Sequence, residues 1–273
     1  IDEISQYGSL IRFIGFEEPL LYGKIKDAIK YVKDKGLLLH ITTNGSLLNK
    51  ELIKIIIDNK VDSVIFSFQG LSKKEYCFMR NVSPKAYSKV IDNMKLLYKS
   101  KKNKKPFIKI TTTTTERDLP ADKNKFIKER LNYADEIQVS GFTHFVHIAE
   151  CFGKKDIWKK LGITEPKKIK KVKCFTPNYE ALIKSDGSVH LCCGAYTDSL
   201  KAGVFRPKEK NAGKRILFSI WHSKKAKDIR KALNNGNLDK FENCAICPIR
   251  YKYNDMDSTL INTRKGKAER FIK

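Results

Sequence analysis

Apolar positions fall into two patterns in the first half of the chain. Short runs of strand length lie at Leu10–Ile14, Leu37–Ile41, Ser63–Phe68, Phe107–Thr114 and Glu136–Val139. Between them, apolar residues recur every three or four positions. Ile25, Ala28, Ile29 and Val32 share one helical face, as do Tyr87, Val90, Ile91, Met94 and Leu97. Leu52, Ile55 and Ile56 do the same in "NKELIKIIIDN", with Asn49 placed as the N-cap. The spacing predicts five strands alternating with four helices, which is an α/β fold built of βαβ units around a parallel sheet. The strands read as nearly continuous apolar runs, as expected where helices cover a sheet. Residues 1–9 read as the end of a helix, and no strand pattern precedes Leu10.

From about residue 151 the alternation stops, and Gly, Pro, Asn and Cys take over. "ALIKSDGSVHLCC" reads as a hairpin of strand, Asp-Gly turn and strand. "FSIWHSKKAKDIRKALNNG" reads as one helix from near Ser219 to Gly236. The expected organisation is therefore a first domain over 1–150, a small second module over 151–250 and a loosely attached polar tail over 251–273.

Composition narrows the function classes. The chain has 273 residues, 41% hydrophobic and 31% charged, enough for a large domain with a small companion. No run of eighteen apolar residues occurs, so no membrane span is expected. The first residues lack the pattern of a signal peptide. Net charge is +25, carried mostly by Lys scattered over helix faces, with dense runs only at "KSKKNKK" and "KKIKKVK". Specific phosphate recognition favours Arg forks, so the plain reading is a solvated lysine surface, and no nucleic-acid partner is expected. Seven cysteines without an export signal argue for metal or cluster ligation and a cytoplasmic location rather than a disulfide framework.

Four of those cysteines have ligand spacing: Cys174, Cys192 with Gly187 five residues before it, and the C-x2-C pair Cys244 and Cys247. Four thiolates suffice for a zinc ion or a [4Fe–4S] cluster, and spacing alone leaves both open. Cys193 stands beside Cys192, and neighbours on a strand point to opposite faces. Cys77 and Cys151 are isolated and read as small buried hydrophobes.

Cys174-x12-Gly187-x4-Cys192 followed by Cys244-x2-Cys247 resembles the auxiliary-cluster module of radical S-adenosylmethionine (SAM) enzymes, in its short "twitch" form of the SPASM module. The resemblance implies that Cys174, Cys192, Cys244 and Cys247 bind one auxiliary [4Fe–4S] cluster and that Cys193 does not. "RFIGFEEPLL" is similar to the family's Gly-Glu-Pro segment, with Glu17 where the glycine usually stands. "HITTNGSLL" and "VIFSFQGLSKKEYCFMRN" resemble its third- and fourth-strand segments. By resemblance, Glu18, Pro19, Thr43, Asn44, Ser67 and Gln69 are SAM-binding positions, and one Thr of the 111–115 run faces the same site. Each also has a plain alternative. Glu18 would cap the next helix, Thr43, Asn44 and Gly45 would mark a strand-to-turn junction, and Ser67 and Gln69 would be solvated strand ends.

The implied fold is a partial (β/α)6 radical SAM barrel lacking its first strand, followed by a twitch-like hairpin and helix. The implied function is a radical SAM oxidoreductase or modifying enzyme acting on a small molecule, a sugar-derived metabolite or a peptide. It would be served by a reductant protein such as flavodoxin or ferredoxin. The family's C-x3-C-x2-C, which holds the SAM-cleaving [4Fe–4S] cluster, does not occur in these 273 residues. The expectation is an N-terminally truncated chain that is inactive alone, the intact protein carrying the second cluster. The alternative is a non-catalytic module stabilised by iron–sulfur or zinc, or an RNA-binding one.

Overall fold

The computed structural model describes residues 1–101, 104–114, 120–141, 167–169, 171–206, 215–245, 247–252, 258–262 and 267–271. Cys151, and Thr115 of the threonine run, lie outside the described residues. The chain forms two compact units, Ile1–Phe142 with Asp255–Lys273, and Thr143–Asn254.

In the first unit the elements run α1 (Asp2–Ser5), β1 (Leu10–Phe13), α2 (Ile25–Asp34), β2 (Leu38–Thr43), α3 (Lys50–Asp58), β3 (Ser63–Ser67), α4 (Lys73–Arg80), α5 (Pro84–Ser100), β4 (Phe107–Thr114), α6 (Pro120–Arg130) and β5 (Glu136–Gly141). Strands β1 to β5 lie side by side in chain order, every pair parallel. Right-handed crossovers between strands that never reverse order place every helix on one face of the sheet, and the free face curls inward. This is the barrel type of β/α sheet, not the doubly wound type.

Local chemistry sets the helix ends. Asn49 Oδ1 accepts from Leu52 N at 2.9 Å. Between β3 and β4 the sequence reading counted one helix, and the structure has two. Ser72 and Ser83 each accept a backbone N–H, from Glu75 and Ala86, and so start α4 and α5 separately. Asn81 ends α4 in the left-handed conformation and Pro84 opens α5.

The strands differ from the expected continuous apolar runs. Leu39, Ile41, Val64, Phe66, Ile108, Ile110, Ile137 and Val139 are buried against the helices. Their neighbours His40, Thr42, Ser63, Ser67, Lys109, Thr111, Glu136 and Gln138 are only half-buried on the other face. Helices cover one side only, so side chains alternate in burial with period two. The uncovered face is mostly polar, with Ile65 in its middle.

Asp135 fixes the lower edge of this sheet. Its carboxylate takes Lys101 Nζ at 2.6 and 2.7 Å and the Ile108 N–H at 2.8 Å, with the aspartate side chain 6% exposed and the lysine 13%. Asp135→Ala leaves a largely buried ammonium and a buried N–H without their acceptor, and stability should fall by about 3 kcal/mol. Urea unfolding of the variant measures this. A loss below about 1 kcal/mol would show that the pair contributes little.

The second unit holds β6 (Lys167–Lys168), β7 (Leu182–Ile183), β8 (Ser188–His190), β9 (Lys201–Val204) and β10 (Tyr251–Lys252). β7 and β8 form the expected antiparallel hairpin, and β9 adds a third strand that the sequence reading did not contain. Gly187 turns the hairpin at φ +81°, and a Cβ there would sit 2.4 Å from Phe205 O, so only glycine fits. The expected single helix is broken. Ile216–Trp221 ends at His222, Ser223 accepts from Ala226 N at 3.1 Å, and Lys224–Asn234 begins anew.

The segment read as a loose tail returns to the first unit. β11 (Ser258–Asn262) pairs antiparallel with β5, and β12 (Lys267–Phe271) pairs antiparallel with β11. Ladder hydrogen bonds, which a polar sequence makes as readily as an apolar one, hold it there. The boundary between the units also falls before residue 150.

Candidate functional site

Each unit presents one constellation. In the first it gathers at the carboxyl ends of the parallel strands, where sheets of this type place their ligands. Glu18 lies in the loop after β1. Its carboxylate accepts from Thr43 Oγ1 at 2.7 Å and from Asn44 N at 2.8 Å, both at the end of β2. It also accepts from Leu20 N at 3.2 Å, capping the 3-10 turn Pro19–Leu21. The capping role and the contact with the Thr-Asn-Gly segment therefore coexist in one side chain. Thr43 in turn accepts from Gly45 N at 3.0 Å, and Asn44 Oδ1 from Ser46 N at 2.9 Å. Buried Asn93 of α5 donates to Gly45 O at 2.9 Å. The β2 turn is thus held from three sides.

Ser67 ends β3, and Gln69 follows it half-buried. The structure adds a residue that the sequence reading did not single out. Arg80, at the last position of α4, donates from Nη2 to Ser67 O at 2.5 Å, and its Nε is buried with no partner among the described residues. Burial holds the guanidinium below its ordinary range, while the charge of Glu18 acts in the opposite sense. Glu18, Thr43, Ser67 and Arg80 therefore share one neighbourhood, with a cation offering an unused donor. Only the placement of α4 reveals this, because in the sequence Arg80 is one of many basic residues. On β4, Thr112 donates to Gly70 O at 3.0 Å, whereas Thr113 Oγ1 is buried with no partner among the described residues.

In the second unit the cysteines meet one apolar cluster. Cys244 is 6% exposed among Leu191, Leu200, Ala226, Ile229, Leu233 and Leu238, with Cys174 and Cys192 packed against them. Cys247 N donates to Cys244 O at 3.3 Å, closing the C-x2-C turn. The thiols feel one another. Burial, and then the charges of Cys247 and Cys174, push Cys244 up to about 12. Burial, then Cys174 and Cys193, also raise Cys247. Cys192 is instead held low by a hydrogen bond from the Cys193 thiol and another from Gly194 N–H, whose nitrogen is 3.3 Å from the sulfur. Cys193 is exposed, and its own N–H is taken by Glu180 at 2.9 Å.

Asn243 organises the loops around this centre. Buried, it accepts from Tyr196 N at 2.7 Å and Thr197 N at 3.2 Å and donates to Gly194 O at 2.6 Å. It thereby ties the segment after Cys192 to the residue before Cys244. No signal in the sequence marks it.

Among the described residues, no three Cys, His, Asp or Glu side chains close on a point small enough for one metal ion. Zinc needs four sulfurs within about 2.3 Å of itself. A [4Fe–4S] cubane stands its four thiolates farther apart, because the irons and sulfides lie between them. Cys174 and Cys192 pack on the apolar cluster that buries Cys244, and Cys247 closes the turn beside it, a four-thiolate donor set that suits a [4Fe–4S] cluster.

Comparison with known proteins agrees with both halves. A model of the radical SAM superfamily matches residues 1–140, and a model of the SPASM iron–sulfur cluster-binding domain matches residues 174–248. An uncharacterised protein of Methanocaldococcus jannaschii is 34% identical over 141 residues, covering 50% of this chain and 42% of that protein. A tungsten-containing aldehyde ferredoxin oxidoreductase cofactor-modifying protein of Pyrococcus furiosus is 36% identical over 73 residues, 26% of this chain and 20% of that one. The chain therefore spans less than half the length of either relative. The crystal structure of Streptococcus suis SuiB bound to S-adenosylmethionine superposes with a TM-score of 0.54 at 18% identity, over 90% of this chain and 62% of that one, which shows a shared fold.

Proposed function

The chain belongs to the radical SAM superfamily, and on that premise we propose that it serves a SAM-dependent radical oxidation or modification of a small molecule, a sugar-derived metabolite or a peptide. The observation that supports this best is the Glu18 constellation. It sits at the strand ends of a sheet whose inner face is mostly polar, in a chain that also carries a four-cysteine centre. SAM would supply, when bound, hydrogen-abstraction chemistry toward the substrate.

The chain's own residues orient and enclose. Pro19 fixes the entry to the turn that Glu18 caps. Thr43, Asn44 and the Glu18 carboxylate form one hydrogen-bonded block, placed to receive the ammonium end of SAM. Arg80, with its spare Nε, is suited to the carboxylate end, since an ionised partner restores the hydrogen bond that burial denies it. Ser67, held by Arg80, and Gln69 two residues on would serve the ribose. Cys174, Cys192, Cys244 and Cys247 would hold the auxiliary [4Fe–4S] cluster, which supplies an electron acceptor for a two-electron oxidation. The apolar residues around Cys244 keep water from that centre.

The deciding experiment uses the reading frame upstream of Ile1. If that frame encodes C-x3-C-x2-C, the extended protein should release 5′-deoxyadenosine from SAM under anaerobic, reducing conditions, and residues 1–273 alone should release none. If the frame lacks those cysteines, or the extended protein leaves SAM intact, the enzyme reading fails and a cluster-binding module without catalysis replaces it.

A further inference from the structure

We propose that the second unit carries a docking surface for an acidic electron-transfer protein, laid directly over the cysteine centre. The proposal rests on the cluster reading above, and it places the partner.

The helix Lys224–Asn234 turns Ala226, Ile229 and Leu233 into the apolar cluster that packs Cys174, Cys192 and Cys244. Its outer face carries Lys224, Lys227 and Lys231 at helical spacing, with Lys225 beside them, all exposed. Asp228, the helix's one acid, is exposed on the same face, four residues after Lys224 and three before Lys231. The helix ends against the cysteine segment itself, where Leu233 O accepts from Cys174 N at 3.1 Å. Gly236 lies so close to Val172 that a Cβ would stand 3.2 Å from its carbonyl. Exposed Lys171 and Lys173 flank Val172, so the basic strip continues from the helix to the residue before Cys174.

Two large aromatics stand out beside this strip. Phe175 is 54% and Tyr179 73% exposed. The turn between them is pinned to the same helix by paired amide hydrogen bonds between Asn178 and Asn234 at 3.1 and 3.3 Å. The helix is locked from behind, where Arg230 stacks on Trp221 with its guanidinium carbon 3.9 Å from the ring centre. Arg230 also donates to Trp221 O at 2.7 Å and Pro177 O at 2.8 Å.

Exposed aromatics beside a run of like charges on a rigid support are suited to a protein interface, with the aromatics as anchors and the charges steering the partner. The run is positive, so the partner presents acids. RNA would also meet positive charge and aromatic faces. The position favours a redox protein, because electron transfer falls steeply with distance and this surface is one helix away from the thiols. The exchange moves a single electron, lost by the cluster that the substrate oxidation has reduced and gained by the oxidised partner, and no bond forms or breaks.

The test measures binding of a bacterial flavodoxin to the reconstituted chain at about 50 and about 300 mM salt. The triple variant K224E/K227E/K231E should weaken Kd by about tenfold or more at low salt and flatten the salt dependence. K85E/K89E/K99E, the same charge change on α5, should leave Kd within about twofold. F175A/Y179A should weaken binding while leaving the salt slope in place. Equal losses in both triple variants would reduce the effect to net charge and overturn the surface. Tighter binding of transfer RNA than of flavodoxin, lost in the first triple variant, would overturn it in favour of RNA. Iron and sulfide analysis of the same samples separates the two readings. A cluster-bearing chain that ignores flavodoxin sinks the docking surface alone, whereas a chain that takes up no iron sinks the cluster reading.

Discussion

Cys244→Ser should abolish iron–sulfur assembly, whereas Cys193→Ser should leave it intact. The reconstituted chain should carry about four irons and four sulfides, and the Cys244 variant fewer than about one. The contrast follows from surroundings. Cys244 is buried among aliphatic side chains and its proton is held tightly by burial and by Cys247 and Cys174. It becomes a thiolate only when iron replaces the proton, so its ligation and the order of its loop are gained together. Cys193 is exposed and hydrogen-bonds to its neighbour's sulfur instead of facing the cluster's apolar wall. Iron and acid-labile sulfide counts, with the visible absorption of the cluster, measure both variants. Stoichiometric zinc without sulfide in the wild-type chain would end the cluster assignment. Loss of iron in Cys193→Ser together with full retention in Cys244→Ser would reassign the ligands.

Arg80→Lys should weaken SAM binding by about 10- to 100-fold while the chain stays folded. A charge-assisted hydrogen bond to a buried group is worth about 1.5–3 kcal/mol, which is that range of affinity. Lysine keeps the charge but cannot span Ser67 O and a ligand at once, since it offers one nitrogen where Arg80 offers a planar fork. Equilibrium dialysis with SAM reads the loss, and circular dichroism checks the fold. Glu18→Gln is the companion variant. It keeps the shape but replaces one of two accepting oxygens with a donor, facing either Thr43 and Leu20 or Asn44 N–H. An unchanged Kd in both variants would leave the constellation a structural clasp with no part in SAM binding.

Much of this was legible in the chain before its structure. β1 to β5 announce themselves because a buried strand must be apolar on the face that meets a helix, and five such runs recur at βαβ spacing. The Asp-Gly turn and the C-x2-C pair are local, so spacing alone locates them. The features that escaped depend on partners distant in sequence. β9 is the unremarkable stretch Lys201–Val204, which becomes a strand only because β8 offers it a ladder. The break at Ser223 hid inside a pattern that reads as one continuous helix. Arg80 and Asn243 matter through what they reach, and nothing in their own neighbourhood of sequence says what that is.

The return of β11 to β5 bears on how the nascent chain folds. While the ribosome makes the second unit, the outer edge of β5 stays bare, with its N–H and C=O groups unpaired. Only when the segment Ser258–Asn262 emerges, long after Glu136–Gly141, is that edge closed, antiparallel and then doubled by β12. The cysteine unit is thus threaded as an insertion through a domain that has to wait for it. A pause or a stop between the two strands leaves β5 with a sticky edge, which is the state in which a chaperone would meet this protein and in which it would aggregate.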